Sequence, residues 1–284
     1  MTGEPFGPVV DTAWLAGQLG ARDLKIIDAS WYLPTEKRDP LKEHLEAHLP
    51  GAVFFDIDAI ADHATSLPHM LPSAAEFGAA VGALGIRRDD RVIAYDGAGQ
   101  LGAARAWWTF RVFGHERVAV LDGGLPKWRA EGRKVEPGRV TPIRAPYIAS
   151  PPDGGRVRLL DQMRVITQRG TEQVLDVRSA GRFAGTEPEP RPGLRGGHMP
   201  GSLNLPLPAV LDPKDKTFLP AERLVAIFRS AGLDPARPVV TSCGSGIAAC
   251  VAAIALDLAG YRQVAVFDGS WTEWGGRDDT PVEK

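Results

Sequence analysis

The sequence predicts an α/β protein made of two tandem, similar domains, each a mostly parallel sheet flanked by helices. Three observations carry this expectation. Short apolar strands alternate with helical segments, the chain repeats itself at an offset of roughly 150 residues, and a proline- and glycine-rich stretch separates the two copies. At 284 residues the chain is longer than one ordinary domain, in keeping with a duplication.

The repeat is read from ordered matches. His48-Leu49-Pro50-Gly51-Ala52 returns as His198-Met199-Pro200-Gly201-Ser202, and Val120-Leu121-Asp122-Gly123-Gly124 with Trp128 returns as Val266-Phe267-Asp268-Gly269-Ser270 with Trp274. Ile26-Ile27-Asp28 matches Val174-Leu175-Asp176. Small drifts in the offset are what loop insertions in a duplicated domain produce. Strands are expected at 24–27, 52–55, 92–95 and 118–121 in the first copy, and at 174–177, 202–205, 239–242 and 264–267 in the second. Helices are expected at 74–84, 102–113, 221–231 and 247–258. Patterning lapses between Pro137 and Gly155, where five prolines and three glycines read as an extended linker. The expected domains are therefore 1–138 and 156–284, joined by 139–155.

Composition narrows the function. Hydrophobic and charged fractions of 44% and 24% are ordinary for a globular protein, and a net charge of −2 gives nucleic acid or an anionic membrane no reason to bind. The most apolar stretch, Gly246 to Leu256, stops at Asp257, well short of the ~20 residues that span a bilayer. Met1-Thr2-Gly3-Glu4-Pro5 lacks a basic start followed by an apolar run, so no signal peptide is expected. Two cysteines seven apart, one in a loop and one two turns into a helix, are poorly placed for a disulfide, and a reducing cytoplasm fits them best. Neither a CxxC pair nor a clustered histidine pair is present, so no metal or other cofactor is expected.

The chemistry is expected at Cys243, in the run Cys243-Gly244-Ser245-Gly246-Ile247-Ala248. A thiol between a buried strand and a helix start sits among backbone N–H groups at the positive helix end, which favours the reactive thiolate. The glycines let the backbone curl around the sulfur. Cys250, among Ala248, Ala249 and Ala252, reads as a packed helix residue instead. The position equivalent to Cys243 in the first copy is Asp96, within Tyr95-Asp96-Gly97-Ala98-Gly99. An aspartate is no sulfur nucleophile, so one active site per chain is expected, with the first copy non-catalytic. His48 and His198 precede Pro-Gly in both copies and read as shared structural residues, and Trp128 and Trp274, also equivalent, read as packing. Trp271 is expected to line the pocket.

Three further runs are distinctive: Gly181-Arg182-Phe183 through Gly185-Thr186-Glu187-Pro188-Glu189-Pro190-Arg191, Asp268-Gly269-Ser270-Trp271-Thr272-Glu273-Trp274, and Tyr95-Asp96 through Trp107-Trp108. With the Cys243 loop, they resemble the rhodanese superfamily, in particular its tandem-domain 3-mercaptopyruvate sulfurtransferases, over nearly the whole chain. The resemblance implies two rhodanese-like domains and a reaction in which sulfur passes from 3-mercaptopyruvate to Cys243, releasing pyruvate and leaving a persulfide. It places Arg182 and Arg191 on the substrate's carboxylate and carbonyl side, a role that suits arginine's planar fork. Ser245, His69 and Asp58 resemble a Ser-His-Asp relay that would protonate the pyruvate enolate. The copies add support of their own: Asp58 falls opposite Pro208 and His69 opposite Thr217, so the titratable pair belongs to the first copy alone. The backbone of Gly244, Gly246, Ile247 and Ala248 would cradle the sulfur. One departure stands out: the family's loop ends Gly-Val-Thr, whereas this one ends Gly246-Ile247-Ala248. The change removes a hydroxyl but keeps the N–H.

Donor and acceptor follow from the loop. Thiosulfate is a dianion, and thiosulfate-using relatives place basic residues directly after the cysteine; Gly244 and Ser245 offer only hydrogen bonds, which suits a keto acid with one carboxylate. A thiosulfate sulfurtransferase is the nearest rival. A cysteine phosphatase or arsenate reductase of the same fold is disfavoured because no arginine follows Ala248. A non-catalytic persulfide carrier would need Cys243 but neither arginine, His69 nor Asp58. The acceptor is open among thioredoxin, a small thiol and cyanide. Arg178 is expected in a buried ion pair.

Overall fold

The computed structural model describes residues 7–284; the run from Met1 to Pro5, on which the signal-peptide expectation rests, lies outside them. Ten strands and ten α-helices alternate along the described chain. In the first copy these are β1 (Val9–Val10), α1 (Thr12–Gln18), β2 (Leu24–Asp28), α2 (Pro40–Glu46), β3 (Val53–Phe54), α3 (Ala74–Ala83), β4 (Arg91–Tyr95), α4 (Leu101–Val112), β5 (Val118–Leu121) and α5 (Gly124–Ala130). The second copy repeats the series: β6 (Val157–Arg158), α6 (Leu160–Arg169), β7 (Gln173–Asp176), α7 (Ala180–Phe183), β8 (Leu203–Asn204), α8 (Ala221–Ser230), β9 (Val239–Ser242), α9 (Ile247–Leu258), β10 (Val264–Phe267) and α10 (Ser270–Gly275).

Each copy builds a five-stranded sheet, ordered β1-β5-β4-β2-β3 and β6-β10-β9-β7-β8, with every pair parallel. The two orders are the same once equivalent strands are matched, which bears out the duplicated α/β reading. Parallel neighbours require crossovers, which the helices supply, and helices on both faces bury the strands on both sides. That is why β5, β7 and β9 are buried at every position. One face of the first sheet packs Ile26, Ile93, Tyr95, Ala119 and Leu121 with Leu15, Leu49, Leu125 and Trp128. The matching face of the second packs Val174, Val240 and Phe267 with Met163, Ile166, Met199, Trp271 and Trp274. Local signals set the helix starts: Ser73 and Glu76 form a reciprocal capping box on α3, and the Asp11 side chain accepts from the Trp14 N–H at the start of α1.

The paired motifs fold alike. His48 exchanges backbone hydrogen bonds with Glu136, and His198 does so with Glu283. The Trp128 indole donates to the Lys134 carbonyl and the Trp274 indole to the Pro281 carbonyl, both at 2.8 Å. Strands expected at 52–55 and 202–205 shorten to two residues each, and the two-residue edge strands β1 and β6 were not expected, being too short to show alternation.

Contacts divide the chain into two units. The first comprises residues through 63, 71–153 and 213–217; the second comprises 64–70, 154–212 and 218–284. Residues 139–153, read as linker from sequence, have no helix or strand yet lie with the first unit. Ala145 donates to Gly82 O, Ser150 to Phe113 O and Asp153 to Val112 O, and the Tyr147 ring is buried against Phe77 and His115.

Candidate active site

In the second unit β9 runs between β7 and β10, and the chain leaving its carboxyl end is the Cys243 loop. Parallel strands bring the ends of β7 and β10 alongside: Asp176 pairs in register with Ser242, the residue before Cys243. Clefts at such strand ends are where open α/β sheets place ligands. Gly246, at φ +81°, closes the loop as the N-cap of α9, in a left-handed conformation that only glycine adopts at low cost.

The loop is anchored from one side by the start of α10. The Trp271 N–H donates to the Cys243 carbonyl at 3.0 Å, and both the N–H and the hydroxyl of Thr272 donate to the Gly244 carbonyl, at 2.8 and 2.7 Å. In a trans peptide the following N–H points opposite to the carbonyl, so the N–H groups of Gly244 and Ser245 turn away from α10. The first N–H groups of α9 have no intrahelical acceptor. Cys243 and Ser245 are buried, at 4% and 5% exposure. A sulfur held here is largely shielded from bulk water.

Two guanidinium groups complete the loop's surroundings. A side chain on Gly244 would place its Cβ 3.1 Å from Arg182 Nη2 and 4.0 Å from Arg191 Nη1. The sequence-expected arginines thus converge over the residue next to Cys243. Arg182 is held by Glu189, to which its Nη2 donates at 2.5 Å and its Nε at 3.2 Å. Glu189 also accepts from Arg178 Nη1 at 2.7 Å, and Arg178 Nη2 reaches Asp176 at 2.6 Å. Burial alone would depress Arg178, yet the Asp176 and Glu189 carboxylates hold it above the usual arginine value. This is the buried ion pair the sequence suggests for Arg178.

His69, although encoded in the first copy, falls in the second unit with the Cys243 loop, its Nε2 3.5 Å from Arg191 Nη2. It is buried and left-handed at φ +63°, a costly conformation for a non-glycine residue and one that concentrates at functional sites. Asp58 lies in the first unit, where its Oδ2 accepts from the Trp31 indole at 3.2 Å. Among the described residues no group of three His, Cys, Asp or Glu side chains could hold a metal ion, and no helix is long and apolar enough to cross a membrane.

The rhodanese-like domain model matches residues 11–131 and again 159–277. The chain belongs to the rhodanese-like family. It is 45% identical to thiosulfate/3-mercaptopyruvate sulfurtransferase 1, mitochondrial, of Arabidopsis thaliana, over 97% of this chain and 78% of that protein. It is 39% identical to the 3-mercaptopyruvate sulfurtransferase of Escherichia coli K12, over 96% and 97% respectively. Among solved structures, the Tum1 protein of Saccharomyces cerevisiae superposes with a TM-score of 0.90 at 31% identity, covering 99% of both chains.

The first rhodanese-like repeat shows what its own loop does with an anion. Asp96 stands where Cys243 stands in the second, and its carboxylate accepts from the N–H groups of Ala98, Gly99 and Ala103 at 2.8, 2.5 and 3.0 Å. The loop is folded around an internal carboxylate. Trp271 does not line a pocket: it is fully buried in the second core, with its indole bonded to the Arg195 carbonyl and its ring under the Arg178 guanidinium. Cys250 is a packed helix residue, as expected, with its thiol donating to the Gly246 carbonyl at 3.1 Å. Sequence reasoning missed Glu189, Ser270 and Thr272 as supports of the loop. An acid among Arg178, Arg182 and Arg191 was the one readable signal.

Proposed function

We propose that this rhodanese-family chain is a 3-mercaptopyruvate sulfurtransferase. The observation that carries the reading is the pair of guanidinium groups, from Arg182 and Arg191, converging on Gly244 beside a buried Cys243 in an otherwise uncharged loop. In this reading the Cys243 thiolate attacks the donor sulfur while Arg182 and Arg191 hold the keto acid's carboxylate and carbonyl. The carbon–sulfur bond breaks, its electron pair passes to the pyruvate enolate, and the transferred sulfur stays on Cys243 as a persulfide. Loop N–H groups from Gly244 through Ala248 receive the developing sulfur anion, much as those of the first repeat receive Asp96.

His69 and Ser245 supply the proton that turns the enolate into pyruvate, a reading supported by the 3.5 Å approach of His69 Nε2 to Arg191 Nη2. Asp58 is assigned the orienting role on family resemblance. The second copy, 156–284, carries the nucleophile and the arginines; the first, 1–138, is a scaffold without a nucleophile, joined through 139–155. An acceptor thiol, from thioredoxin or a small molecule, or cyanide, then takes the outer sulfur and restores the thiolate. A reducing compartment, the cytoplasm, keeps Cys243 competent; the two cysteines are free thiols in the structure.

Mass spectrometry after treatment with 3-mercaptopyruvate tests the reading directly. A gain of one sulfur, ~32 Da, on Cys243 is expected, with pyruvate released in equal amount. The Arabidopsis relative carries both donor names, so kcat/KM should be measured on both donors. A clear preference for thiosulfate would overturn the assignment.

A further inference from the structure

Glu189 holds a position out of keeping with a surface loop. Its side chain is 2% exposed, between Arg178 at 1% and Arg182 at 22%. A buried carboxylate is stable only when paired, and this one is paired twice. Asp176, Arg178, Glu189 and Arg182 form a chain of alternating charge from the end of β7 to the Cys243 loop, and their formal charges cancel. Arg182 therefore reaches Gly244 as an aimed hydrogen-bond fork whose charge Glu189 offsets.

We propose that Glu189 is a positioning residue that also determines donor specificity: it aims Arg182 at Gly244, and its charge keeps the loop suited to a singly charged donor over a dianion. The proposal rests on the sulfurtransferase reading. A keto acid carboxylate needs the fork's geometry more than its net charge. A dianion such as thiosulfate gains roughly twice as much from each uncompensated positive charge. One unit of charge about 10 Å away, at an effective dielectric near 20, changes binding on the order of tenfold.

The test compares wild type, Glu189→Gln and Glu189→Asp on both donors, at low and high salt. Glu189→Gln is expected to raise the ratio of thiosulfate to 3-mercaptopyruvate kcat/KM at least about fivefold, chiefly through a lower KM for thiosulfate, with the shift shrinking at high salt. Glu189→Asp, which keeps the charge but shortens the reach, should lower both efficiencies and leave the ratio within about twofold. Equal losses on both donors in Glu189→Gln would show a merely structural residue and overturn the proposal. Should that variant not fold, Glu189→Asp carries the test, and a shifted ratio there overturns it. A wild type that gains sulfur from neither donor would instead overturn the sulfurtransferase reading itself.

Discussion

Ser270 Oγ accepts the Cys243 backbone N–H at 3.2 Å while donating to the Phe267 carbonyl at 2.9 Å. To do so Ser270 sits fully buried at φ +48°, in the left-handed region. Its counterpart in the first repeat is Gly124, at φ +57°. The backbone shape is thus common to both copies. Glycine supplies it at little steric cost in the first copy, and in the second a serine accepts the strain where the Cys243 N–H takes its hydroxyl as partner.

Replacing Ser270 separates strain from hydrogen bonding. Ser270→Gly relieves φ but leaves the buried Cys243 N–H without its acceptor, at a cost of about 1–3 kcal/mol. Ser270→Ala loses the same bond and keeps the strained backbone, so it should be less stable than Ser270→Gly by roughly 1 kcal/mol. Chemical denaturation gives the order, and single-turnover persulfide formation should be slowed in both. Ser270→Ala matching wild type would show that the hydroxyl contributes nothing.

The proposed mechanism divides substrate and proton roles between the arginines and His69. Arg191→Ala should chiefly raise KM for 3-mercaptopyruvate, by about tenfold to a hundredfold. Arg182→Ala should do the same and also lower Tm, because it strips one partner from buried Glu189. His69→Asn removes the imidazole with a residue that tolerates positive φ, so the fold should survive while kcat falls by about a hundredfold or more. Steady-state kinetics beside thermal melts read both effects.

How much was legible in the sequence depended on the kind of interaction. The repeat fixed two like sheets because each copy must bury its strands in the same way, and the bounds of β5, β9 and β10 match expectation residue for residue. Cys243 was legible from its strand–loop–helix setting, and Arg182 and Arg191 through the family resemblance of their run. Glu189 and Ser270 were not. Glu189 acts through ion pairs with Arg178 and Arg182, signalled in sequence only by an acid among arginines, and Ser270 sits at a positive φ that leaves no local pattern. The segment 64–70 illustrates the same limit: it belongs to the first copy by sequence and to the second unit by contacts.

Two glycines make opposite predictions. A Cβ on Gly102, in α4, would lie 1.9 Å from the Ala29 carbonyl oxygen, which is backbone and cannot swing aside. Gly102→Ala should destabilise the first unit by about 1–3 kcal/mol or more. Gly17, in α1, has nothing within 4 Å of such a Cβ, and Gly17→Ala should stabilise by roughly 0.5–1 kcal/mol. Denaturation midpoints moving in the same direction for both would contradict the close approach of α4 to Ala29.

Asp96 makes the first repeat sensitive to pH in a direction opposite to ordinary acid denaturation. Burial pushes its carboxyl up to about 6 from the usual 3.8, against the opposing pull of the Ala103, Ala98 and Gly99 N–H groups. Below about pH 4 the group is protonated in folded and unfolded chains alike, and above about pH 6 it is ionised in both. Between those limits the folded chain holds a proton the unfolded chain has released, so this group's contribution to stability falls as pH rises through the window. The difference is on the order of 2–3 kcal/mol. Asp96→Asn cannot titrate. Whatever its offset at neutral pH, its stability measured relative to wild type should therefore rise between pH 4 and 6 and then stay level. A wild type and variant that run parallel from pH 4 to 7 would show that Asp96 stays ionised in the folded protein throughout, held by the three N–H groups of its own loop.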